Sequence, residues 1–176
     1  MVKMFHDGFC WSVFMSTDMF ISLPYNIILS RKQVLEMDAV LPSAAEELLR
    51  EIQKQYLETK QIPDDLLLAL KFMFGPIAVH ALDLVDQHSV TQFVAPSGRA
   101  VYQVIGSSGR VYSCFSSCHY CSCPAFSFSV LRKNDSLLCK HILAVYLSQA
   151  TGTCQEVTTS AGHVTGLLLA KEEDNT

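Results

Sequence analysis

The chain has 176 residues, of which 49% are apolar and only 17% are charged, and its formal net charge is −4. Soluble domains average roughly 25% charged residues, so the surface of this protein is short of charge. The apolar content and the small net charge exclude disorder for most of the chain. The nearest approach to a membrane-spanning stretch, residues 8–30, is interrupted by Asp18 and Pro24. We therefore expect a chain that covers part of its surface with a partner, and no membrane segment.

The chain has seven cysteines, an odd number, and we expect no secretory leader before them. The N-terminus has a lone basic residue, Lys3, with Asp7 close behind it, and no small-residue cleavage site follows the apolar stretch. We expect a reducing compartment, in which clustered cysteines are metal ligands before they are disulfides.

An organised segment begins just after Met37. Ser43 and Glu46 have the spacing of a capping box, which predicts the start of a helix. Apolar residues then recur at four-residue spacing and predict an amphipathic helix that ends near Thr59. We expect Met37 to be the biological start, with residues 1–36 as an extension that has no fold of its own.

The second predicted helix, residues 66–74, is apolar nearly all round. Gly75 and Pro76 end it, and a third helix follows to Asp86. A helix of this kind is buried in its own core or lies in an interface. Burial in the core is the commoner outcome. If the helix lies in an interface, the partner-binding residues are Leu66, Leu70, Phe72 and Phe74.

After residue 88 the apolar period changes from about 3.6 to 2, which marks a change from helices to strands. Turn sequences separate three short runs and predict an antiparallel β-meander. A long helix follows over residues 142–150, and we expect one weak helix and a frayed end in the tail. The three predicted strands are residues 90–95, 101–105 and 111–115.

This order of elements predicts an α+β fold with an N-terminal helical segment, a small antiparallel β-meander and a long C-terminal helix. We divide the chain into four parts. They are an extension expected to be poorly ordered (1–36), a helical region (37–88), β-hairpins with a cysteine-rich region (89–150) and a C-terminal tail (151–176).

The chemistry of the chain is concentrated in one cysteine-rich stretch. Cys121 and Cys123 follow the third predicted strand, and Cys139 and His141 stand at the entry to the long helix. Tetrahedral zinc takes four thiolate or imidazole ligands, and a set without an open position holds a structural ion. These residues predict one structural zinc ion. Cys118 is an alternative ligand, because Cys118-x-x-Cys121 is itself a common zinc spacing.

The pattern Cys-x-Cys followed after a gap by Cys-x-His resembles the SWIM zinc finger. The resemblance extends to the run SCHYCSCPAFSFSVLRKNDSLLCKHILAVYLSQ and to the segments LPSAAEELL, IPDDLLLALKFMFG and ALDLVDQHSVT. These stretches look like the SWIM-domain subunit of the Shu recombination complex, from about Met37 to Ala150. The resemblance favours Cys123 over Cys118 as a ligand. It also implies a zinc-pinned SWIM module of the ββα type, with its finger core at residues 112–150.

The resemblance further implies a non-catalytic subunit of a nuclear complex for DNA repair by homologous recombination. Its partner in that complex is a RecA-like recombinase paralogue. The pair binds single-stranded DNA and promotes assembly or stability of the recombinase filament, with no small-molecule substrate. The sequence has no phosphate-cradling Gly-x-x-x-x-Gly-Lys loop and no His-x-Glu acid–base element, so we expect no enzyme.

A basic stretch at residues 98–141 permits nucleic-acid contact, because it holds five basic side chains against Asp135 alone. Aromatic residues between them, such as Phe115 and Tyr120, offer stacking surfaces for bases or pack in the core. The alternative function is a zinc-stabilised protein-interaction adaptor without nucleic-acid contact, in which the basic stretch is a solvated face. The five basic residues are Arg99, Arg110, Arg132, Lys133 and Lys140.

Overall fold

A computed structural model of the chain describes residues 43–169, and the predicted extension at residues 1–36 lies outside this range. None of the helices among these residues has the length and hydropathy of a membrane span. The predicted α+β fold is confirmed. The elements in chain order are the helices α1 (Ser43–Thr59), α2 (Asp64–Phe74) and α3 (Pro76–Asp86), the strands β1 (Val90–Val94), β2 (Ala100–Ile105), β3 (Val111–Phe115) and β4 (Tyr120–Cys121), a π-helical segment (Phe126–Arg132), the helix α4 (Lys140–Thr151), the strand β5 (Gln155–Thr158) and the helix α5 (Ala161–Leu169).

The first three helices begin and end at their sequence signals. α1 begins at Ser43, as the capping-box spacing predicts, and buries one apolar face. α2 carries Asp64 and Asp65 in its first turn, where carboxylates complement the helix dipole. It ends at Gly75, whose φ of 62° is a conformation that glycine adopts without strain. Pro76 then opens α3 at the first helical position, which needs no N–H donor.

The predicted meander forms, and two further strands extend it. The sheet has the order β4–β3–β2–β1–β5, with antiparallel pairing from β1 to β4. β5 pairs with β1 in parallel, with Thr91 opposite Gln155 and Val94 opposite Thr158. α5 is the helix that we expect in the tail, but β5 is absent from the prediction. The β5 sequence, Gln-Glu-Val-Thr, has one apolar residue and therefore lacks the apolar alternation that marks a strand. All four residues are exposed.

α4 is the central element of the core. Every residue from His141 to Thr151 is buried, and α4 packs against α1 and α3 and also against strands β1 to β4. Its polar residues have partners: the Gln149 amide donates to the Tyr102 hydroxyl, and Thr151 Oγ1 donates to the Leu147 carbonyl oxygen at 2.9 Å. One apolar cluster contains buried residues from all four helices α1–α4 and from strands β1–β4.

The domain boundaries predicted from the sequence stay predictions.

α2 corrects one part of the partner-binding prediction. Leu70 and Phe74 are buried in the core, and the half-buried Leu66 packs against it, so these side chains offer no free surface. The reason is the helical period, because residues four apart share the face that packs against α1 and α3. Phe72 is 94% exposed, and Leu68, one turn before it, is 66% exposed. The outward face of α2 therefore consists of Leu68 and Phe72.

Truncation of Leu143 tests the central place of α4. Its side chain is fully buried, so Leu143→Ala should lower the free energy of unfolding by about 2–5 kcal/mol through lost apolar contact and a new cavity. Leu131, which is 64% exposed, is the matched control, and Leu131→Ala should change the free energy by less than about 0.5 kcal/mol. Urea denaturation followed by circular dichroism measures both variants. Similar losses in the two would contradict the packing described for α4.

Candidate metal centre

Two elements deliver the four predicted zinc ligands to one point. The β3–β4 ribbon and the turn after it supply Cys121 and Cys123, while Cys139 is the N-cap of α4 and His141 lies in its first turn. The ligand atoms of the four residues all lie within 4.8 Å of one another, and all four side chains are buried. Cys139 has extended backbone angles, φ −87° and ψ 164°. This break before the helix brings two residues that are two apart in sequence to the same side.

The alternative ligand lies outside this cluster. Cys118 is exposed, and its Sγ atom lies 3.9 Å from the Phe115 carbonyl oxygen. Cys118 ends a 3₁₀ turn, and His119 follows with a φ of 50°, which reverses the chain and separates Cys118 from Cys121. Within the described residues, the geometry therefore brings together the set that contains Cys123.

The three clustered thiols influence one another's pKa through their mutual hydrogen bonds. Hydrogen bonds from Cys121 and Cys139 lower the pKa of Cys123. A hydrogen bond with Cys114 is the main cause that raises the pKa of Cys121, and hydrogen bonds with Cys121 and Cys123 raise that of Cys139. Without a metal, one thiolate is stabilised at the expense of its neighbours. A divalent cation removes this competition between the thiols, because it binds all three sulfurs as thiolates.

The imidazole of His141 also fits a metal ligand. Its ring stacks on Tyr112, with centroids 4.4 Å apart, and Nδ1 lies 3.8 Å from Cys121 Sγ. Nε2 is buried and has no hydrogen-bond partner among the described residues. Nδ1 is therefore the nitrogen that faces the cluster and would bind the metal, whereas Nε2 lies beside the Gly106 turn.

Backbone amides and one further thiol surround the sulfurs. The amide of Cys123 donates to Cys121 Sγ at 3.5 Å, and the amide of Phe126 donates to Cys123 Sγ at 3.3 Å. Hydrogen bonds of this kind favour the thiolate form. Cys114 stands opposite Cys121 across the ribbon and donates to its sulfur at 3.6 Å. The sequence gives no sign of this contact, because it depends on the register of β3 against β4.

Gly106 has a role that the sequence analysis misses. A Cβ atom at this position would lie 2.9 Å from Tyr112 Cε2 and 3.5 Å from His141 Nε2. Tyr112 is the ring on which His141 stacks. A side chain at Gly106 would therefore displace the Tyr112 ring that supports the His141 imidazole, and glycine avoids this contact.

His119 forms a second contact between the ribbon and α4. Its Nδ1 atom shares a hydrogen bond with the Tyr146 hydroxyl. Burial lowers the pKa of His119 and is the main cause that raises the pKa of Tyr146. Both groups are therefore uncharged near neutral pH and satisfy each other inside the fold.

The five predicted nucleic-acid residues do not lie together. Arg99 lies in the turn before β2, and Arg110 lies in the turn after it, so β2 separates them by roughly 20 Å. Lys140 Nζ lies 3.5 Å from Ser107 Oγ, at the end of the sheet where Arg110 lies. Arg132 and Lys133 lie at the end of the π-helical segment, where the Lys133 ammonium lies over the Phe128 ring. Their contact with nucleic acid stays a prediction.

Comparison with known proteins identifies the module. The SWIM zinc finger family matches residues 114–150, which include all four clustered ligands. "Zinc finger SWIM domain-containing protein 7" of Danio rerio is 60% identical over 140 residues, 80% of this chain and 100% of that protein. The Homo sapiens protein of the same name is 57% identical over 137 residues, 78% of this chain and 98% of that protein.

A more distant relative, "Zinc finger SWIM domain-containing protein 7 homolog" of Dictyostelium discoideum, is 40% identical over 93 residues. These residues are 52% of this chain and 60% of that protein. No solved structure matches the chain. The family match and the buried cluster of three cysteines and one histidine together identify a structural zinc site.

Removal of single ligands tests the site. Cys139→Ser and His141→Ala should each abolish stoichiometric zinc and destabilise the fold, because structural zinc contributes about 10–16 kcal/mol of apparent binding free energy. Cys118→Ser is the matched control and should keep one zinc ion per chain, since Cys118 lies outside the cluster. Native mass spectrometry counts the bound metal. A Cys118 variant that loses zinc while a Cys123 variant keeps it would contradict this ligand set.

A methyl group at Gly106 should weaken the site without removing a ligand. Gly106→Ala forces Tyr112 to move and disturbs the ring that supports His141. Loss of such supporting contacts typically costs about 10–100-fold in metal affinity. Gly166→Ala is the control, because a Cβ atom at Gly166 meets no atom within 4 Å. Competition with a chromogenic zinc chelator measures both affinities, and equal values would refute the role of Gly106.

Proposed function

The chain belongs to the zinc finger SWIM domain-containing protein 7 family, and on that premise we propose that it is a non-catalytic subunit of a nuclear homologous-recombination complex. In this complex the chain binds a RecA-like recombinase paralogue. The pair promotes assembly or stability of a recombinase filament on single-stranded DNA. The resemblance to the Shu complex subunit supports the identity of the partner, and an exposed apolar surface supports the need for one.

The observation that carries the proposal is this apolar surface on α2 and α3. Phe72 is 94% exposed, Leu68 is 66% exposed and Val79 on α3 is 48% exposed. We call these three residues the outer apolar face. Beside it lies a groove of about 430 Å³, whose walls include Leu67, Leu68 and Leu82. Large exposed side chains grouped in this way mark a protein interaction site more often than a free surface.

The charges around the outer apolar face indicate the chemistry of the partner surface. Exposed carboxylates on α2 and α3 outnumber the one basic side chain, Lys71. A partner segment with an apolar centre and basic flanks complements this arrangement. The four carboxylates are Asp64, Asp65, Asp83 and Asp86.

The zinc site supports a structural role rather than a catalytic one. Its four ligands leave no open coordination position, and the site is enclosed by β3, β4 and α4. We therefore propose that zinc maintains the fold that presents the outer apolar face. Contact with single-stranded DNA then falls to the complex, with the basic residues at 98–141 as this chain's contribution.

A charge placed in the outer apolar face tests the proposal. Phe72→Asp should weaken the affinity for a co-expressed RecA-like paralogue by about 2 kcal/mol or more, roughly thirtyfold in Kd, as expected for an aromatic residue at the centre of an interface. The paralogue should then be lost on co-purification. Leu131→Asp is the matched control, because Leu131 is 64% exposed but lies on the π-helical segment. Both variants should keep one zinc ion, since neither residue touches the site.

Two outcomes of this experiment contradict different parts of the proposal. If Phe72→Asp binds the paralogue like the unmodified chain, the outer apolar face is not the partner surface. If the zinc-loaded chain forms no complex with any such paralogue, the adaptor function without nucleic-acid contact replaces the recombination function.

A further inference from the structure

A cavity of about 390 Å³ lies at the end of the sheet that is remote from the Gly106 turn. Its walls come from the start of β2, the 3₁₀ turn after β3, the buried helix α4 and the tail helix α5. Its volume is near the lower end of the roughly 300–1,000 Å³ of ligand pockets in proteins. The residues around it include Arg99, Phe115, Ser116, Ser117, Cys118 and Val164.

The charge of this cavity favours an anion. Among residues 43–169, Arg99 is the one charged residue that lines it, and none of the carboxylates in this range does. Within residues 43–169, the ion pairs all lie in α1, so the Arg99 guanidinium forms no ion pair there. Ser116 and Ser117 add two hydroxyl groups, which can donate to the same anion. A guanidinium with adjacent donors is suited to a phosphate group.

The other walls favour a flat apolar group. Val101, Val164 and Leu168 are aliphatic, and Phe115 contributes an aromatic ring. This ring is held by Tyr120, on which it stacks with an interplanar angle of 11° and centroids 5.5 Å apart. Aromatic rings held in this way are the surfaces on which unpaired bases stack, because every base has a π face.

We propose that this cavity binds one nucleotide of single-stranded DNA. In this proposal the Arg99 guanidinium binds the phosphate and the base stacks on the Phe115 ring. The proposal rests on the proposed function in one respect, because the recombination complex supplies the DNA. The proposal assigns DNA contact to Arg99 and not to Arg110 or Lys140, because these two residues lie at the opposite end of β2. A short peptide with an apolar residue and a terminal carboxylate is the competing ligand.

Cys118 provides a probe of the occupied cavity. Its thiol is exposed and lines the cavity, whereas Cys154 is half-buried on another part of the chain and is not in the lining. Burial is the main cause that raises the pKa of Cys154 to about 12, so it should alkylate slowly with or without DNA. Iodoacetamide labelling of the full zinc-loaded chain, resolved by peptide mass spectrometry, therefore reports on the cavity with an internal reference.

Oligodeoxythymidine is the probe ligand. At about ten times its Kd it should slow alkylation of Cys118 about tenfold, because only the free fraction reacts, and should leave Cys154 unchanged. Arg99→Gln should remove the protection of Cys118 by the oligonucleotide. It should also make the fall of log K with log salt concentration less steep, by about 1 in the slope. Lys71→Gln, an exposed cation on α2 with the same charge change, should keep both values. Phe115→Leu should weaken binding without changing the slope.

Each other outcome overturns the assignment. Protection that persists in Arg99→Gln, or that is lost only on neutralisation of Arg110 and Lys140, places the DNA elsewhere and leaves the proposed function intact. Protection by a carboxylate-terminated peptide and not by the oligonucleotide makes the cavity a peptide site. No protection by either ligand, with binding of the RecA-like paralogue retained, removes the cavity proposal alone. Loss of paralogue binding with protection retained removes the partner and leaves the cavity.

Discussion

The zinc centre joins the β3–β4 ribbon to the first turn of α4, and the rest of the fold depends on this junction. α4 has no face toward solvent, so its position is determined by what surrounds it. Without a cation, three thiols and an imidazole would remain crowded at the N-terminal end of this helix, inside the core. Apolar packing alone does not stabilise such a cluster. The metal converts the most polar point of the interior into the contact that sets where α4 begins.

Two surfaces follow from the position of α4. α1 and α3 pack directly against α4, and α2 packs against both of them, which leaves Phe72 and Leu68 outward. The sheet and α5 instead enclose the cavity beside Arg99. The two surfaces use different elements, so a protein partner and a nucleic-acid strand need not compete. The same zinc-dependent helix supports both.

Local signals predict most of the fold and of the zinc site. The capping box at Ser43, the Gly75-Pro76 boundary and the change of period after residue 88 each have a short-range cause, and the corresponding elements form. Spacing alone identifies Cys121, Cys123, Cys139 and His141 as a possible ligand set. The same spacing argument does not exclude Cys118, and the turn at His119 is what separates Cys118 from the cluster.

The features that were missed depend on long-range geometry. β5 has no apolar alternation, and its pairing with β1 requires the whole sheet. Cys114 reaches Cys121 through strand register, and Gly106 matters because the Tyr112 ring lies against it. The inward direction of Leu70 and Phe74 depends on which side of an all-apolar helix meets the core. A sequence period cannot choose between the face with Leu70 and Phe74 and the face with Leu68 and Phe72 when both are apolar.

Amide hydrogen exchange measured by mass spectrometry, with and without removal of zinc by a chelator, tests whether the zinc centre positions α4. Residues 142–150 should be strongly protected in the zinc-loaded chain. This protection should be lost together with that of β3 and β4 when zinc leaves, because the junction holds all three elements. Unchanged protection of α4 in the zinc-free chain would show that apolar packing alone positions the helix, and would contradict the claim that the fold depends on the zinc centre.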